Sequence, residues 1–154
     1  MPPTAFLKML VPFAQDCQRK TGVPASITLA QAAIESGWGE RALGNNLFGI
    51  KADRSWKGKT VQFRTREHIA GKNWNILGTF RAYDSWEESM VDHAQFFLKN
   101  PRYSACFKET TAEGWARAVH AAGYATDPYY AQVLIDVMKG RNMAQYDVWP
   151  KVAA

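Results

Sequence analysis

The sequence predicts an α+β fold that is mainly helical and carries one small β-hairpin. Three observations lead to this prediction. Apolar residues recur at helical spacing in several segments, most of which end near a glycine or proline. One of these segments is apolar on most sides, which is typical of a buried central helix. Between roughly residues 60 and 83, two segments with the character of strands are joined by a short turn.

Two helices form the N-terminal part of the prediction. Helical spacing predicts the first from Thr4 to about Lys20. The second is ITLAQAAIES, with Ser26 as its expected N-cap and Gly37 as its expected C-terminal stop. Because this segment is so apolar, we expect it to be the central helix. A Gly- and Asn-rich stretch with one short helix, near residues 41–43, connects it to the strands.

The β-hairpin is predicted from strict alternation of side chains. In TVQFRTREH, one face of the strand carries Val61, Phe63, Thr65 and Glu67. A turn at residues 70–72 leads to a second strand, NILGTFRAY. The two strands form a lobe on the helical body.

Three further helices complete the predicted fold. SWEESMVDHAQFFLK begins with a capping box formed by Ser85 and Glu88. AEGWARAVHAA begins with Thr110 and Glu113 as its expected capping box, and PYYAQVLIDVMKG follows Asp127 as N-cap. From Asn142 onward we expect a loosely ordered tail.

Length and composition predict one packed domain over residues 1–154. The chain has 154 residues, of which 47% are hydrophobic and 13% aromatic, and it shows no internal repeat or linker. Its formal net charge of +5 favours an anionic partner, although a charge that serves only solubility is an equal alternative. Lys and Arg are spread without a long basic run, so nucleic acid is not an expected partner.

The two cysteines, Cys17 and Cys106, are too few to define a disulfide framework. We expect buried free thiols, and the sequence leaves a bridge between them open. No residues have the spacing of metal ligands, so no metal or cofactor is expected. No stretch is long enough to span a bilayer, so we expect no stable membrane insertion.

Glu35 is the first candidate for catalysis. It lies in the last turn of the apolar second helix, where the partial negative charge of the helix end disfavours a carboxylate. Apolar surroundings disfavour the charged form again, and both effects raise the pKa of the carboxyl group. A carboxylic acid that stays protonated near neutral pH is what a general acid requires. The equally weighted alternative is an acid that only accepts hydrogen bonds from loop amides at residues 37–39.

Glu67 is the second candidate, on the face of the strand that should point towards the body. An ordinary charge on an edge strand is the simpler interpretation of Glu67 alone. An acid at a helix end and a carboxylate on a flap nevertheless form the pair that glycoside hydrolysis needs.

Several motifs resemble glycoside hydrolase family 73, the endo-β-N-acetylglucosaminidase domain found in bacterial autolysins and flagellar rod-associated peptidoglycan hydrolases. The segments that carry the resemblance, in chain order, are IESGWG, NNLFGIK, TREHIAG, FRAYDSWEES, NPRYSACF and AAGYATDPYYAQVL. They cover roughly residues 6–138. The resemblance implies a goose-lysozyme-like fold, in which the hairpin lobe closes a groove beside the helix that bears the acid.

The resemblance also implies site residues. Glu35 becomes the general acid, Glu67 the second carboxylate, and Tyr124 in GYATDP a residue of the reaction centre. Without the motif, Tyr124 would be assigned to the core. The groove candidates are Trp38, Asn46, Phe48, Trp74 and Tyr130. For Trp38 and Phe48, core packing is at least as strong an alternative, and Asn46 is better suited to fixing its loop.

The implied reaction is hydrolysis of peptidoglycan glycan strands after N-acetylglucosamine by a monomer. Attack by water with Glu67 as base is favoured, and attack by the acetamido group of the substrate stays open. The enzymatic alternative is a lytic transglycosylase or muramidase that uses Glu35 alone. The non-enzymatic alternative is a module that only binds peptidoglycan.

The expected place of action is the bacterial cell wall, in the periplasm. The N-terminus lacks the pattern of a signal peptide. We therefore expect a phage endolysin, an effector delivered by a secretion system, or a domain excised from a longer protein.

Overall fold

Five α-helices and one antiparallel β-hairpin make up residues 1–150, the part of the chain that the computed structural model describes. In chain order the elements are α1 (Pro3–Thr21), α2 (Ala25–Ser36), β1 (Thr60–Ile69), β2 (Lys72–Arg81), α3 (Trp86–Lys99), α4 (Ala112–Ala121) and α5 (Tyr130–Gly140). Short 3-10 helices lie at Leu43–Asn45, Pro101–Lys108 and Met143–Tyr146. The mainly helical α+β prediction is confirmed. Positions 151–154 of the predicted domain lie outside the described residues.

Helix α2 lies at the centre of the hydrophobic core, as its composition predicts. Its residues Leu29, Ala30 and Ala32 are completely buried. Helices α1, α4 and α5 pack around it. The helix ends where Gly37 adopts a left-handed conformation and donates its amide to the Ala33 carbonyl. This buried helix delivers Glu35 to the point where the chain leaves the core.

The start of α2 differs from the prediction, because its cap comes from a distant part of the chain. Ser26 is the second residue of the helix and not its N-cap. The amide and hydroxyl of Ser26 donate hydrogen bonds of 2.7 and 2.8 Å to the Asp147 carboxylate. The expected loose tail is therefore corrected as well, since residues 143–147 pack on the body and Met143 is completely buried.

We expect Asp147→Ala to lower the free energy of unfolding by about 1–3 kcal/mol, because it removes the cap of α2 and leaves the Ser26 amide unpaired. Urea titration and thermal unfolding followed by circular dichroism measure this change. Asp136→Ala is the matched control, since Asp136 accepts only an exposed hydrogen bond from Gln132. An Asp147 variant no less stable than this control would contradict the capping role.

The other helix starts follow the predicted chemistry with two shifts in position. Ser85 caps α3 and accepts from the Glu88 amide, as predicted. Helix α4 is capped by Thr111, and not by Thr110, through the Gly114 amide. Asp127 accepts from the Tyr129 amide and fixes a turn, so α5 begins only after that turn.

The hairpin has a continuous register and a firmly anchored base. Val61 pairs with Phe80, and Glu67 pairs with Trp74 near the tip. At the base, the nearly buried Arg81 donates a 2.9 Å hydrogen bond to Asp92 of α3. This ion pair attaches the open end of the hairpin to the helical body.

Both cysteines are buried free thiols, and burial raises the pKa of each to about 11. In the described range, no helix has the length and apolar character needed to cross a membrane.

Candidate active site

A groove of about 590 Å³ lies between the end of α2 and one face of the hairpin. Its body side is lined by Glu35, Glu40, Arg41, Leu43, Asn46, Gly49 and Lys51. Its hairpin side is lined by Phe63, Arg64, Thr65, Glu67 and Phe80. The structure therefore brings Glu35 and Glu67 to the same groove, although 31 positions (67 − 35 − 1) separate them in the sequence.

Glu35 occupies the next-to-last position of α2, at the wall of this groove. Glu35 is exposed to solvent, although nearby protein removes part of the water around its carboxyl group. This partial loss of solvation raises the pKa of the Glu35 carboxyl group above its ordinary value. The site therefore favours the protonated carboxyl, the form that can donate a proton to a substrate oxygen.

The loop that follows α2 keeps the space beside Glu35 open. Gly49 has a φ of +67°, a conformation that favours glycine, and a side chain there would begin 3.8 Å from Glu35 Oε2. Asn46 fixes this loop. Its side-chain amide donates to the carbonyls of Ile50 and Arg81, at 2.9 Å each, and its carbonyl oxygen accepts from the Ile50 amide. Asn46 also lines the groove, but its polar atoms are used by the backbone.

Arg41 is a groove residue that the sequence analysis missed. Its guanidinium lies against the backbone of Gly37, since a β-carbon there would be 2.6 Å from Arg41 Nη1. The last turn of α2 contains no basic residue. Arg41 thus places a cation beside the C-terminal end of the helix, where positive charge is favourable. The signal available in the sequence was a single arginine soon after the Gly-Trp-Gly break.

Glu67 lies on the groove face of β1, and its side chain is 34% exposed. Its carboxylate accepts a 3.0 Å hydrogen bond from the Lys51 ammonium. Lys51 is the second groove residue that sequence reasoning missed, although it ends the NNLFGIK motif. A carboxylate at this position of the groove can accept a proton from water.

Tyr124 lies in an aromatic stack and is not among the residues that line the groove. Its ring lies between Phe97 and Tyr130, with centroid distances of 5.7 Å on each side. Burial raises the pKa of the Tyr124 phenol well above its ordinary value, and the charges of Tyr130 and Glu35 raise it further. Tyr124 is therefore a neutral phenol close enough to Glu35 to sense its charge. A neutral phenol can donate a hydrogen bond but does not act as a base at neutral pH.

Phe48 and Tyr130 lie in the core, at 3% and 4% exposure, and neither presents a surface to the groove. Phe48 stacks on the buried His93. Tyr130 accepts a 2.9 Å hydrogen bond from Gln31, whose carbonyl oxygen contacts His93 Nε2 at 2.7 Å. Burial lowers the pKa of His93 to about 3, so this imidazole is neutral. Gln31 lies one helical turn before Glu35, and the network fixes the helix behind the acid.

The two tryptophans among the groove candidates have different environments. Trp38 packs edge-to-face against Phe6, with 5.6 Å between the ring centroids, and supports the core. Trp74 is 52% exposed and lies directly opposite Glu67 in the hairpin. Because directly paired residues of antiparallel strands share a face, Trp74 continues the groove face towards the hairpin tip.

Among the described side chains, no group of three or more His, Cys, Asp or Glu residues is placed to hold a metal ion. The groove brings together the carboxyl group of Glu35, the carboxylate of Glu67 and nearby cations. This arrangement can supply one proton to a substrate oxygen and accept another from water.

Comparisons with known proteins identify the family of this chain. A family model described as mannosyl-glycoprotein endo-beta-N-acetylglucosaminidase matches residues 11–143. Peptidoglycan hydrolase FlgJ of Escherichia coli strain K12 is 40% identical over 142 residues, which cover 88% of this chain and 45% of FlgJ. Exo-glucosaminidase LytG of Bacillus subtilis strain 168 is 37% identical over 150 residues, which cover 92% of this chain and 52% of LytG. The chain thus spans about half the length of these relatives.

A solved structure extends the similarity to three dimensions. The crystal structure of a peptidoglycan hydrolase mutant from Sphingomonas sp. A1 has a TM-score of 0.82 and 39% sequence identity. The match covers 92% of this chain and 96% of that chain. Because the family model spans most of the sequence and this likeness extends over the whole fold, the chain belongs to the glucosaminidase family, glycoside hydrolase family 73.

Proposed function

We propose that this chain is a peptidoglycan hydrolase that cleaves the β-1,4 bond after N-acetylglucosamine. The observation that carries the proposal is the pair of unlike carboxyl groups on one groove. Glu35 has a raised pKa, and Glu67 is held beside a lysine. Membership of the glucosaminidase family and the names of its relatives support the choice of substrate. Residues 1–154 act as one domain.

In the proposed reaction, the glycan strand lies along the groove with the scissile oxygen next to Glu35. Glu35 donates its proton to this oxygen as the bond to the anomeric carbon breaks. A water molecule attacks the anomeric carbon from the opposite face and gives up a proton to the Glu67 carboxylate. The products are two shorter glycans, one with a new reducing end. Transfer of a proton from Glu67 back to Glu35 through solvent restores the starting state.

Tyr124 assists as a hydrogen-bond donor. Its neutral phenol is suited to the N-acetyl group of the substrate or to the attacking water. The burial that keeps this phenol neutral also keeps it out of acid-base exchange at neutral pH. Its position in a stack with Phe97 and Tyr130 limits movement of the ring.

The net charge of the chain, +5, supports an anionic polymer as substrate. Arg41 and Arg64 line the groove together with its carboxyl groups, Glu35, Glu40 and Glu67. The stem peptides of peptidoglycan carry carboxylates, which these cations attract. The enzyme acts as a monomer on the cell wall in the periplasm, without a nucleic-acid partner.

Analysis of the digestion products tests the proposed bond. Purified peptidoglycan is digested, reduced with borohydride, and examined by mass spectrometry. Reduced N-acetylglucosamine at the new ends is the expected result. Anhydro-muramic acid ends would instead identify a lytic transglycosylase, and reduced muramic acid ends would identify a muramidase.

We expect Trp74→Ala to raise KM for glycan fragments by about fivefold or more, with kcat little changed, because it removes an exposed apolar surface on which a sugar ring can pack. Steady-state kinetics on soluble peptidoglycan fragments measures this. Leu98→Ala is the matched control, since Leu98 is 47% exposed on α3 and is not among the residues that line the groove. Equal KM values for the two variants would contradict sugar stacking on Trp74.

A further inference from the structure

We propose that Lys51 is a positioning residue that holds the Glu67 carboxylate over the groove. The inference rests on the proposed function, in which Glu67 accepts the proton of the attacking water. It adds a residue that does not touch substrate and acts only through Glu67. The contact that carries it is the 3.0 Å hydrogen bond from Lys51 Nζ to Glu67 Oε1.

The backbone of Lys51 is fixed to the base of the hairpin. Lys51 forms an antiparallel bridge with Phe80 of β2. The Ile50 carbonyl accepts from the Arg81 amide, and the Ala52 amide donates to the Thr79 carbonyl, both at 3.0 Å. The Lys51 carbonyl also accepts from the side chain of the buried Arg81. The lysine therefore extends from a rigid support.

The ion pair joins two points that a flat hairpin would keep far apart. Lys51 lies directly opposite Phe80 of β2, and Phe80 pairs on its other side with Val61 of β1. Glu67 lies six positions beyond Val61 along β1, about 20 Å in an extended strand. A lysine side chain cannot cover that distance. The hairpin must therefore bend over the groove to bring Glu67 to Lys51.

The sequence supplies the means of bending. Gly78 of β2 has no side chain, and a β-carbon there would lie only 2.6 Å from the ring of Phe80. The Phe80 ring covers this glycine and stacks on Phe63, with 4.0 Å between the centroids. A glycine in a strand with a ring packed over it is typical of a local bend. The bend brings the outer half of the hairpin towards Lys51.

The Lys51–Glu67 ion pair contacts the outer half of the hairpin, whereas the other described ion pairs of the hairpin contact only its base. Arg81 with Asp92 and Lys59 with Asp84 tie only the base of the hairpin to the body. An exposed ion pair contributes little to overall stability. Its effect is on position, and a displacement of about 1 Å in a reacting group can lower a rate by as much as about 10²-fold.

A double-mutant cycle between Lys51 and Glu67 tests the inference on the active enzyme. Lys51→Met keeps most of the side chain and removes the charge, and we expect about a tenfold lower kcat with KM little changed. Lys51→Arg should restore most of the rate. In a Glu67→Gln background, Lys51→Met should cause no further loss. Lys20→Met is the matched control, because Lys20 forms an exposed ion pair with Asp16 on α1.

Three kinetic results would overturn the inference. They are a wild-type kcat in Lys51→Met, the same loss in Lys20→Met, and an unchanged effect of Lys51→Met in the Glu67→Gln background. The last result would show that Lys51 acts on substrate or fold without Glu67.

A distance measurement separates this inference from the proposed function. Spin labels on Asn75→Cys in β2 and Lys8→Cys in α1 report hairpin position, because both residues are exposed. The native cysteines are buried and have raised pKa values, so they react poorly with the label. Lys51→Met should broaden the distance distribution, whereas Lys51→Arg and Lys20→Met should not.

An unchanged distribution in Lys51→Met would overturn the positioning role even if the enzyme is active. Conversely, full activity of Glu67→Gln would overturn the catalytic role of Glu67 in the proposed function. In that case the distance measurement would still decide whether Lys51 holds the hairpin.

Discussion

Glu35→Gln is expected to lower kcat for peptidoglycan cleavage by about 10²- to 10⁴-fold, because the amide cannot donate the proton that the leaving oxygen needs. Gln has nearly the same shape as the protonated acid, so binding of glycan fragments should persist. Turbidity loss of cell-wall suspensions measures cleavage, and a pull-down with insoluble peptidoglycan measures binding. Glu40→Gln is the matched control, since Glu40 lines the same groove and its side chain is exposed to solvent.

The stability of Glu35→Gln distinguishes loss of the acid from loss of the fold. The pKa of Glu35 in the folded chain is raised above its ordinary value of 4.5 by desolvation. The stability linked to this group is therefore complete below pH 4.5 and is lost as pH rises through the folded pKa. Above the folded pKa the charged form of Glu35 destabilises the fold, and Gln removes that effect. The unfolding temperature of the variant should be equal to or above that of the wild type.

The same pKa shift sets the direction of the activity profile. Cleavage should fall as pH rises through the raised pKa of Glu35, because the fraction of protonated acid falls. Wild-type activity in Glu35→Gln, or a profile without this basic limb, would refute the assignment of Glu35 as general acid.

Glu67→Gln is expected to give the second largest loss, about 10²-fold or more in kcat, because water then lacks a base at the groove. Gln is similar in size to Glu and can still lie beside Lys51, so a fold defect is not expected. Kinetics on soluble glycan fragments measures the loss. Glu87→Gln, in the first turn of α3, is the matched control for removal of one negative charge.

The stereochemistry of the first product checks the role of Glu67 independently. Water that attacks the face opposite the leaving group inverts a β-linkage, so the new reducing end is first the α-anomer. Nuclear magnetic resonance of the early reaction mixture detects it. An initial β-anomer, together with near-wild-type activity of Glu67→Gln, would indicate attack by the acetamido group of the substrate.

The positions of the main elements could be predicted because local patterns determine them. The apolar segment before Gly37 forms the buried α2, and the alternation from Val61 to Glu67 forms β1. The starts of helices were less predictable. Ser26 has the chemistry of an N-cap, but Asp147 from the other end of the chain supplies that cap. No local pattern can identify a partner at a sequence separation of 121 residues.

The candidate site could be predicted where the type of a residue is unusual for its surroundings. Glu35 is an acid on an apolar helix, and the sequence alone indicates the direction of its pKa shift, which desolvation produces in the structure. Lys51 and Arg41 are ordinary cations in a polar loop, so nothing local distinguishes them. Phe48 and Tyr130 lie within the motifs of the family resemblance. In the structure both are in the core, where Phe48 stacks on His93 and Tyr130 accepts a hydrogen bond from Gln31.

The sequence by itself determined the elements, the family resemblance and the two carboxyl groups that carry the proposed chemistry. These properties depend on residue type and on spacing within one element. Only the tertiary structure decided that Glu67 lies on the groove of Glu35 and forms an ion pair with Lys51. The physical reason is that the groove joins the end of α2 to a face of β1, and no spacing within one element determines a contact between two elements.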